Sequence, residues 1–284
     1  MSRLQIPKTY KQFIGGKFPR SESGRTYRVT SAEGEFVANA AQSSRKDARD
    51  AVTAARSAFA AWSGATSYNR VQVLYRIAEV LEGRRTQFID EIRTLEGGSA
   101  ASAAAQVDRA IDLWVWYAGW ADKYAQVLGS ANPVAGPYFN LSVPEPTGVV
   151  AQIAPQGSDS LLGLVAVIAP AIVSGNTVVV IADERAPLPA ISFAEVVATS
   201  DVPDGVVNIL TGSATELGPW LASHADVDAL DLTGAGSLDW VALEEAAAET
   251  ITRVVRPTGD LHGSLQKIAV FTETKTIWHT TSLI

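Results

Sequence analysis

Four successive strand-and-helix units, beginning at residue 149, constrain the fold of this chain more than any other feature. Apolar, β-branched runs occur at 149–154, 177–181, 206–210, 229–232 and 251–255, and segments of helical length separate them at 160–173, 187–200, 215–224 and 237–248. A strand that is apolar on both faces must be covered on both faces, as in a parallel sheet between layers of helices. The sequence therefore predicts a doubly wound α/β domain with five strands over residues 147–256.

The residues before this domain predict an arm of short strands followed by helices, together spanning 1–137. Strand-like pieces punctuated by glycine occupy 10–38. Apolar residues spaced three and four apart then predict three helices. The first begins near Ser44, the second runs from about Asn69 to Arg93, and the third runs from about Ser99 to Val127. The tryptophans at 114, 116 and 120 could stack on a ligand, but packing between helices is the interpretation we prefer.

Two segments flank the α/β domain and predict a small additional sheet. Residues 138–146 alternate as a strand, and 257–284 read as a linker followed by a threonine-rich strand, 268–278, with no helix to pair with. The preferred pairing joins these strands within the chain. Because so small a sheet needs a further surface for stability, we also expect it to contact another subunit.

Composition excludes several classes of function. The chain has 284 residues, a net charge of −7 and no cysteine. The acidic balance argues against nucleic acid and anionic membranes as partners, and the lack of cysteine rules out a thiol nucleophile, disulfides and cysteine metal sites. The longest apolar run, 161–173, is shorter than the ~20 residues that span a bilayer. With no secretory signal apparent, we expect a cytoplasmic protein.

Several short motifs give the chain a family resemblance. They are Y-K-Q-F-I-G-G-K-F from Tyr10, Y-A-G-W-A-D-K over 117–123, E-P-T-G-V-V over 145–150, S-G-N-T over 174–177, P-D-G-V-V-N over 203–208 and F-T-E-T-K-T-I over 271–277. In this order and spacing the sequence resembles the aldehyde dehydrogenase superfamily along nearly its whole length. The resemblance implies a Rossmann-like α/β fold with N-terminal helices and a small β tongue used for oligomerisation.

The resemblance also implies a chemistry that this sequence does not support. Family members oxidise aldehydes with NAD(P), using a cysteine thiolate, an asparagine that holds the oxyanion and a glutamate base. Gly157 stands at the position of the asparagine and Arg256 at that of the glutamate. The resemblance implies a truncated member that lacks the catalytic cysteine domain, and we expect no enzyme activity from the chain alone.

Cofactor binding is a secondary expectation. The positions that resemble the family's NAD(P) contacts are Glu184, Gly212, Thr233 and Gly234, whereas the family's ribose-binding lysine is replaced by Ile181. We therefore expect no cofactor, with NAD(P) as the alternative. The carboxylates of Asp159, Asp183, Glu184 and Asp231 are interpreted as solvated loop charges. The three histidines are too scattered to predict a metal site.

The leading functional hypothesis is a non-catalytic, aldehyde dehydrogenase-like subunit. It would assemble with itself or with a full-length aldehyde dehydrogenase and support or regulate it, through an interface made by Phe271, Thr272, Glu273, Thr274, Lys275, Thr276 and Ile277. The alternatives are an NAD(P)-binding module, or part of an active heteromeric aldehyde oxidoreductase. An enzyme with different chemistry has no support in the sequence, since no Ser–His or paired-acid arrangement is present.

Overall fold

The N-terminal arm forms a small sheet in the computed structural model, which describes residues 8–236, 238–256 and 261–281. Its strands are β1 (Thr9–Tyr10), β2 (Thr26–Thr30) and β3 (Phe36–Ala41), in the order β1–β3–β2. The predicted β-rich arm is therefore confirmed. Residues 257–260 and 282–284 of the predicted C-terminal segment lie outside the described ranges.

Five helices follow the arm, and two of the three predicted helices are divided. Helix α1 (Arg45–Ser63) begins at a capping box in which Ser44 and Asp47 each bond the other's backbone N–H. The predicted helix over 69–93 is α2 (Ser67–Gly83) and α3 (Arg85–Glu96), and the one over 99–127 is α4 (Ala100–Ala118) and α5 (Tyr124–Leu128). Each break lies at or next to a glycine, Gly83 or Gly119, the residue type that favours helix least after proline.

The tryptophans of α4 and the turn after it serve packing, as the sequence analysis prefers. Trp114 is fully buried and its ring stacks on Phe193, with ring centroids 5.7 Å apart. Trp116 contacts the rings of Tyr117 and Trp120. These ring contacts pack α4 against the helix that contains Phe193 and against the turn that follows α4.

The predicted α/β domain is confirmed, and its sheet is entirely parallel. Strands β4 (Ser130–Asn132) and β5 (Tyr138–Pro146) lead into it. Its own elements are β6 (Val149–Ile153), α6 (Ser160–Val173), β7 (Thr177–Ile181), α7 (Leu188–Ala198), β8 (Val207–Leu210), α8 (Ala214–Ala222), β9 (Ala229–Asp231), α9 (Trp240–Ala248) and β10 (Arg253–Val255). The strand order is β10–β9–β6–β7–β8. The order in which strands are added to the sheet reverses between β6 and β9, so a crevice opens at the carboxyl ends of these two strands.

Hydrophobic core lies on both faces of this sheet. Val150, Val178 and Val180 point toward α2, α4, α6 and α7, whereas their neighbours along each strand point toward α1, α8 and α9. Every residue of α6 is buried, which explains why this helix is apolar on all sides. No helix in the described ranges is long and apolar enough to cross a membrane.

A three-stranded antiparallel sheet, which we call the tongue, projects from the domain in the order β11–β5–β4, where β11 is Thr272–Thr280. The pairing of β11 with β5 runs from Thr272 opposite Pro146 to Thr280 opposite Tyr138. The predicted pairing within the chain is therefore confirmed. The predicted start of the strand at 268 is wrong, because Leu265–Ala269 form a short helix, α10.

Phe271 corrects the predicted interface at one position. Its side chain is 2% exposed and lies in the core cluster with α6, so it is not available to another subunit. The reason is its place just before β11, where the chain still contacts the domain. The rest of the predicted set, from Thr272 to Ile277, lies on the tongue and is exposed or half-buried.

The C-terminal segment is tied to the domain by hydrogen bonds on both sides of Phe271. The carbonyl of Phe271 accepts from the Nδ2 of Asn176 (2.9 Å) and from the backbone N–H of Thr147 (3.2 Å). The guanidinium of Arg253, on β10, donates to the carbonyls of Val270 (2.8 Å) and Thr272 (3.0 Å). The tongue is thus anchored by side chains of the α/β domain itself.

Candidate functional site

The candidate site is the crevice at the carboxyl ends of the parallel strands, with a volume of about 350 Å³. The loop after β6 contributes Gln156 and Gly157, the loop after β7 contributes 183–185, and the loop after β9 contributes 234–236. Among the sequence-predicted residues, Gly157, Glu184 and Gly234 line this crevice. Gly212 and Thr233 are not among its lining residues.

Gln156 joins the loops after β6 and β7 across the crevice floor. Its Nε2 donates to the carbonyls of Ala154 (2.7 Å) and Ala182 (3.3 Å), and its Oε1 accepts from the backbone N–H of Glu184 (3.1 Å). Backbone groups at the strand ends, which a ligand could otherwise use, are therefore bonded to the chain itself.

Asp183 is a buried carboxylate in the wall of the crevice, not the solvated charge that the sequence predicts. It is 3% exposed and accepts from the backbone N–H groups of Gly157 (2.7 Å) and Arg185 (2.9 Å). Burial raises the pKa of Asp183, and these two hydrogen bonds offset part of the rise. Glu184 next to it is exposed, as predicted.

Gly234 is required by packing. Its N–H donates to the carbonyl of Ile153 (2.8 Å), and a Cβ at this position would lie 2.0 Å from the carbonyl oxygen of Ala154. The loop after β9 thus lies directly on the end of β6, and only glycine allows that approach.

Two helix N-termini near the crevice are capped by carboxylates of the chain. Glu96 accepts from the backbone N–H groups of Asp159 (3.2 Å) and Ser160 (2.9 Å) and from the Ser160 hydroxyl. Asp239 accepts from the N–H of Ala242 (3.1 Å) at the start of α9. Since helix N-termini attract anions, each of these carboxylates stands where an anionic ligand would otherwise be stabilised.

Asp231 is a second buried acid, and the prediction of a solvated loop charge at this position is wrong. It is 3% exposed, and its Oδ1 accepts from both the N–H (2.9 Å) and the Oγ1 (2.6 Å) of Thr233. Its Oδ2 lies 3.4 Å from the Nε2 of Gln152 on β6. Burial raises the pKa of Asp231. The N–H and hydroxyl of Thr233 are therefore both bonded to Asp231. The two residues line a separate cavity of about 160 Å³.

Arg256 forms a two-point ion pair with Glu244. Its Nε lies 2.5 Å from Oε1 and its Nη2 lies 2.7 Å from Oε2 of that residue. A guanidinium has no lone pair for a proton at neutral pH, so Arg256 cannot replace a glutamate base. The next residues of the predicted base motif, 257–260, lie outside the described ranges.

The crevice offers limited chemistry. Gly157 presents no side-chain donor, and the described residues contain no group of three His, Asp or Glu placed to hold a metal ion. The histidine at 279 lies on the tongue, far along the sequence from the loops of the crevice. The residues that line the crevice supply carboxylates and backbone groups that are already hydrogen-bonded.

Several of these contacts do not follow from local sequence patterns, but the burial of Asp231 does. Asp231 stands between Leu230 and Leu232 in a strand that must be covered on both faces, so its burial follows from the predicted sheet. The roles of Gln156 and Glu96 carried no such signal. Their partners are distant along the chain or depend on loop geometry.

The comparison with known proteins identifies the family. Residues 18–259 match the model of the aldehyde dehydrogenase family. The chain belongs to this family. Retinal dehydrogenase 2 of Homo sapiens is 35% identical over 262 residues, which are 90% of this chain and 49% of that protein. The mitochondrial aldehyde dehydrogenase of Homo sapiens is 32% identical over 253 residues, 87% of this chain and 48% of its own length.

Solved structures of aldehyde dehydrogenases share the fold. An NAD⁺ complex of the Bacillus cereus aldehyde dehydrogenase superposes with a TM-score of 0.81 at 26% identity, over 88% of this chain and 50% of that one. An NAD-dependent aldehyde dehydrogenase from Sinorhizobium meliloti gives 0.81 at 28% identity, with the same coverage. The chain therefore spans about half the length of the family members it matches, the half with the NAD-binding fold.

The residues in the crevice fit a dinucleotide only in part. Pyrophosphate binding uses cations or free N–H groups at a helix N-terminus. The position of the family's ribose-binding lysine is the fully buried Ile181. Asp183 and Glu184 bring negative charge to the crevice wall and Arg185 brings positive charge, while Asp239 caps α9. The lysine position and the donors at the start of α9 are therefore unavailable to a dinucleotide, whereas Glu184 and Arg185 remain exposed in the crevice wall.

Replacing Asp231 with asparagine tests its protonation. Because the folded pKa is raised above the unfolded value of about 3.9, the native state gains stability as pH falls and loses it as pH rises through the folded pKa. We expect Asp231→Asn to raise the thermal unfolding midpoint by a few degrees at pH 7.5, with a smaller gain at pH 5. The exposed Asp50→Asn is the control, with little change at either pH. A lower midpoint for Asp231→Asn at pH 7.5 would contradict this account.

Proposed function

We propose that this chain is a non-catalytic subunit of an aldehyde dehydrogenase-family assembly, which joins either itself or a full-length family member through the tongue. The observation that carries the proposal is the fully paired β11, anchored to the domain through Asn176 and Arg253. A tongue held this firmly by its own domain is available as a preformed surface for assembly.

The non-catalytic part of the proposal is supported by the residues at the chemical positions. The chain contains no cysteine to form a thioester. Gly157 has no side chain to hold an oxyanion, and loss of one such donor alone costs about 3 kcal/mol of transition-state stabilisation. Arg256 is a cation paired with Glu244. Aldehyde oxidation would therefore need replacements for the nucleophile, the oxyanion donor and the base.

The assembly part is supported by the surface of the tongue. The aromatic side chains of Tyr138, Phe139 and Trp278 are 45%, 48% and 58% exposed. Tyr138 and Trp278 lie on one face of the tongue, and Phe139 lies on the other with the half-buried Leu141, Val143 and Ile277. Apolar groups gathered on a projecting sheet are typical of a protein–protein contact.

A second candidate function is an NAD(P)-binding module, or an NAD(P)-binding part of an active heteromeric oxidoreductase. Glu184 and Gly234 line the crevice, and the Bacillus cereus neighbour is an NAD⁺ complex. The buried Asp183 and the capped N-termini weigh against it. We infer that the chain does not use a cofactor.

A binding measurement separates these two functions. We expect calorimetric titration of the purified chain with NAD⁺, NADH or NADP⁺ to give no binding heat at ligand concentrations up to about 1 mM, because the site would place phosphates beside carboxylates. A full-length family member titrated in parallel is the positive control. Saturable binding to this chain with a Kd below about 0.1 mM would favour the cofactor-binding module.

Co-expression tests the assembly. We expect the chain to co-elute with a full-length aldehyde dehydrogenase from the same organism, or to form an oligomer alone, on size exclusion with light scattering. Trp278→Ala should weaken the assembly at least about tenfold, since a buried interface tryptophan is worth more than about 1.4 kcal/mol. Trp220→Ala is the matched control, because Trp220 is 41% exposed but belongs to α8, not to the tongue.

The proposal would be refuted by either of two results. One is recovery of the chain as a monomer both with and without the full-length member. The other is aldehyde oxidation by the purified chain alone.

A further inference from the structure

A cleft between the start of α1 and the end of α8 gathers positive charge on one wall. Its volume is about 500 Å³, larger than that of the crevice at the strand ends. The residues that line it, none of them acidic within the described ranges, are Arg45, Lys46, Ala48, Arg49, Trp220, Ser223 and His224. Three cations therefore converge on one cleft in a chain whose net charge is −7.

The position of these cations is unfavourable for α1 itself. The first turn of a helix is electropositive, so carboxylates stabilise it and cations destabilise it. Like charges four residues apart on a helix, such as Arg45 and Arg49, also repel each other. The start of α1 is already capped by Ser44 and Asp47, which bond each other's backbone N–H, and it needs no cation. The stability of the helix therefore does not account for the charge of this wall.

The guanidinium of Arg45 is held in place but not neutralised. Its Cζ lies 3.8 Å from the centroid of the Trp220 ring, which is a cation–π contact. Within the described ranges Arg45 forms no ion pair, and the carboxylates of Glu22 and Asp50 are paired with other cations. The N–H groups of a guanidinium lie in its plane, so contact with the ring through its face leaves them free at the edge.

The other two cations of the cleft are paired only at the surface. The Nζ of Lys46 lies 2.6 Å from the Oε1 of Glu22, and the Nη2 of Arg49 lies 2.7 Å from the Oδ1 of Asp50. All four side chains are roughly half exposed. Ion pairs in contact with water contribute little to stability. Lys46 and Arg49 can therefore turn toward an anion in the cleft at small cost.

The wall formed by the end of α8 adds a neutral donor. The Nδ1 of His224 accepts from the backbone N–H of Asp226 (3.1 Å), so the hydrogen of the neutral ring is on Nε2. Ser223 adds no donor, because its hydroxyl donates to the carbonyl of Pro219 (3.0 Å). An anion in the cleft would thus meet guanidinium groups on one wall and an imidazole N–H on the other.

We propose that this cleft binds a small phosphate monoester, with the phosphate held by Arg45, Arg49 and His224. A monoester carries about −1.5 to −2 charges at pH 7, and guanidinium groups bond phosphate oxygens at two points. The ring of Trp220 supplies apolar surface for the organic group. Glu22 and Asp50 beside the cleft repel larger polyanions such as nucleic acids and dinucleotides. The site is separate from the tongue and does not depend on the proposed function.

Calorimetric titration at constant ionic strength and pH 7.5 tests this site, with phenyl phosphate as the probe and inorganic phosphate in a parallel arm. We expect saturable binding of phenyl phosphate with a Kd below about 1 mM, and at least threefold weaker binding of inorganic phosphate. Arg45→Gln should weaken binding at least about tenfold, because it removes the unpaired cation. Arg45→Lys keeps the charge but loses the planar fork, and should fall between the two. Arg185→Gln, at an exposed arginine of the crevice, is the matched control, with less than about a twofold change.

The outcomes separate this inference from the proposed function. Absence of saturable binding, or equal losses in Arg45→Gln and Arg185→Gln, overturns the site. Inorganic phosphate that binds as tightly as phenyl phosphate overturns its assignment to a monoester. The unfolding midpoint of Arg45→Gln without ligand should be unchanged or higher, since a cation leaves the first turn of α1. Each of these failures leaves assembly through the tongue standing, whereas a monomeric chain that binds phenyl phosphate overturns only the proposed function.

Discussion

The carbonyl of Phe271 is the point on which the arrangement of this chain depends. It accepts hydrogen bonds from the buried side chain of Asn176 and from Thr147, while the Oδ1 of the same asparagine accepts from Gly148 at the entrance to β6 (2.8 Å). One amide thus ties together the end of β5, the start of β6 and the start of β11. Leaving such a buried group without its partner costs about 1–3 kcal/mol. The phenyl ring of Phe271, packed in the core against α6, holds the segment from the other side.

This junction explains how a chain of half the family's length keeps both a sheet and a tongue. The parallel sheet is stabilised by core on both faces, and the tongue is anchored by side chains of the sheet and of α6. At the crevice, polar side chains bond backbone groups of the chain itself. Gln156, Asp183 and Glu96 bond the chain's own backbone groups at its edge. The tongue, by contrast, leaves the aromatic side chains of Tyr138, Phe139 and Trp278 exposed.

Residue patterns predict the elements in which every residue is buried. They do not predict contacts between residues that are distant along the chain. The bounds of α6 and β7 followed from unbroken apolar runs, because covered strands and central helices need apolar residues at each position. The breaks at Gly83 and Gly119 were missed, since the apolar stripe continues across each break. Phe271 was assigned to the exposed strand because the F-T-E-T-K-T-I run gives no sign that its first residue turns into the core. The cap at the start of α6 depends on the contact of Glu96 with Ser160, which are 64 residues apart and leave no local pattern.

The central claim is that the tongue is formed and anchored within a single chain. Hydrogen exchange of the chain, at a concentration where it is monomeric, tests this most directly. The account predicts that the amides of Glu273, Lys275, Ile277 and His279, which bond β5, exchange at least about a hundredfold more slowly than in an unstructured chain. Exchange of these four amides at the unprotected rate, while β6 stays protected, would contradict the account and show that the tongue forms only on a partner.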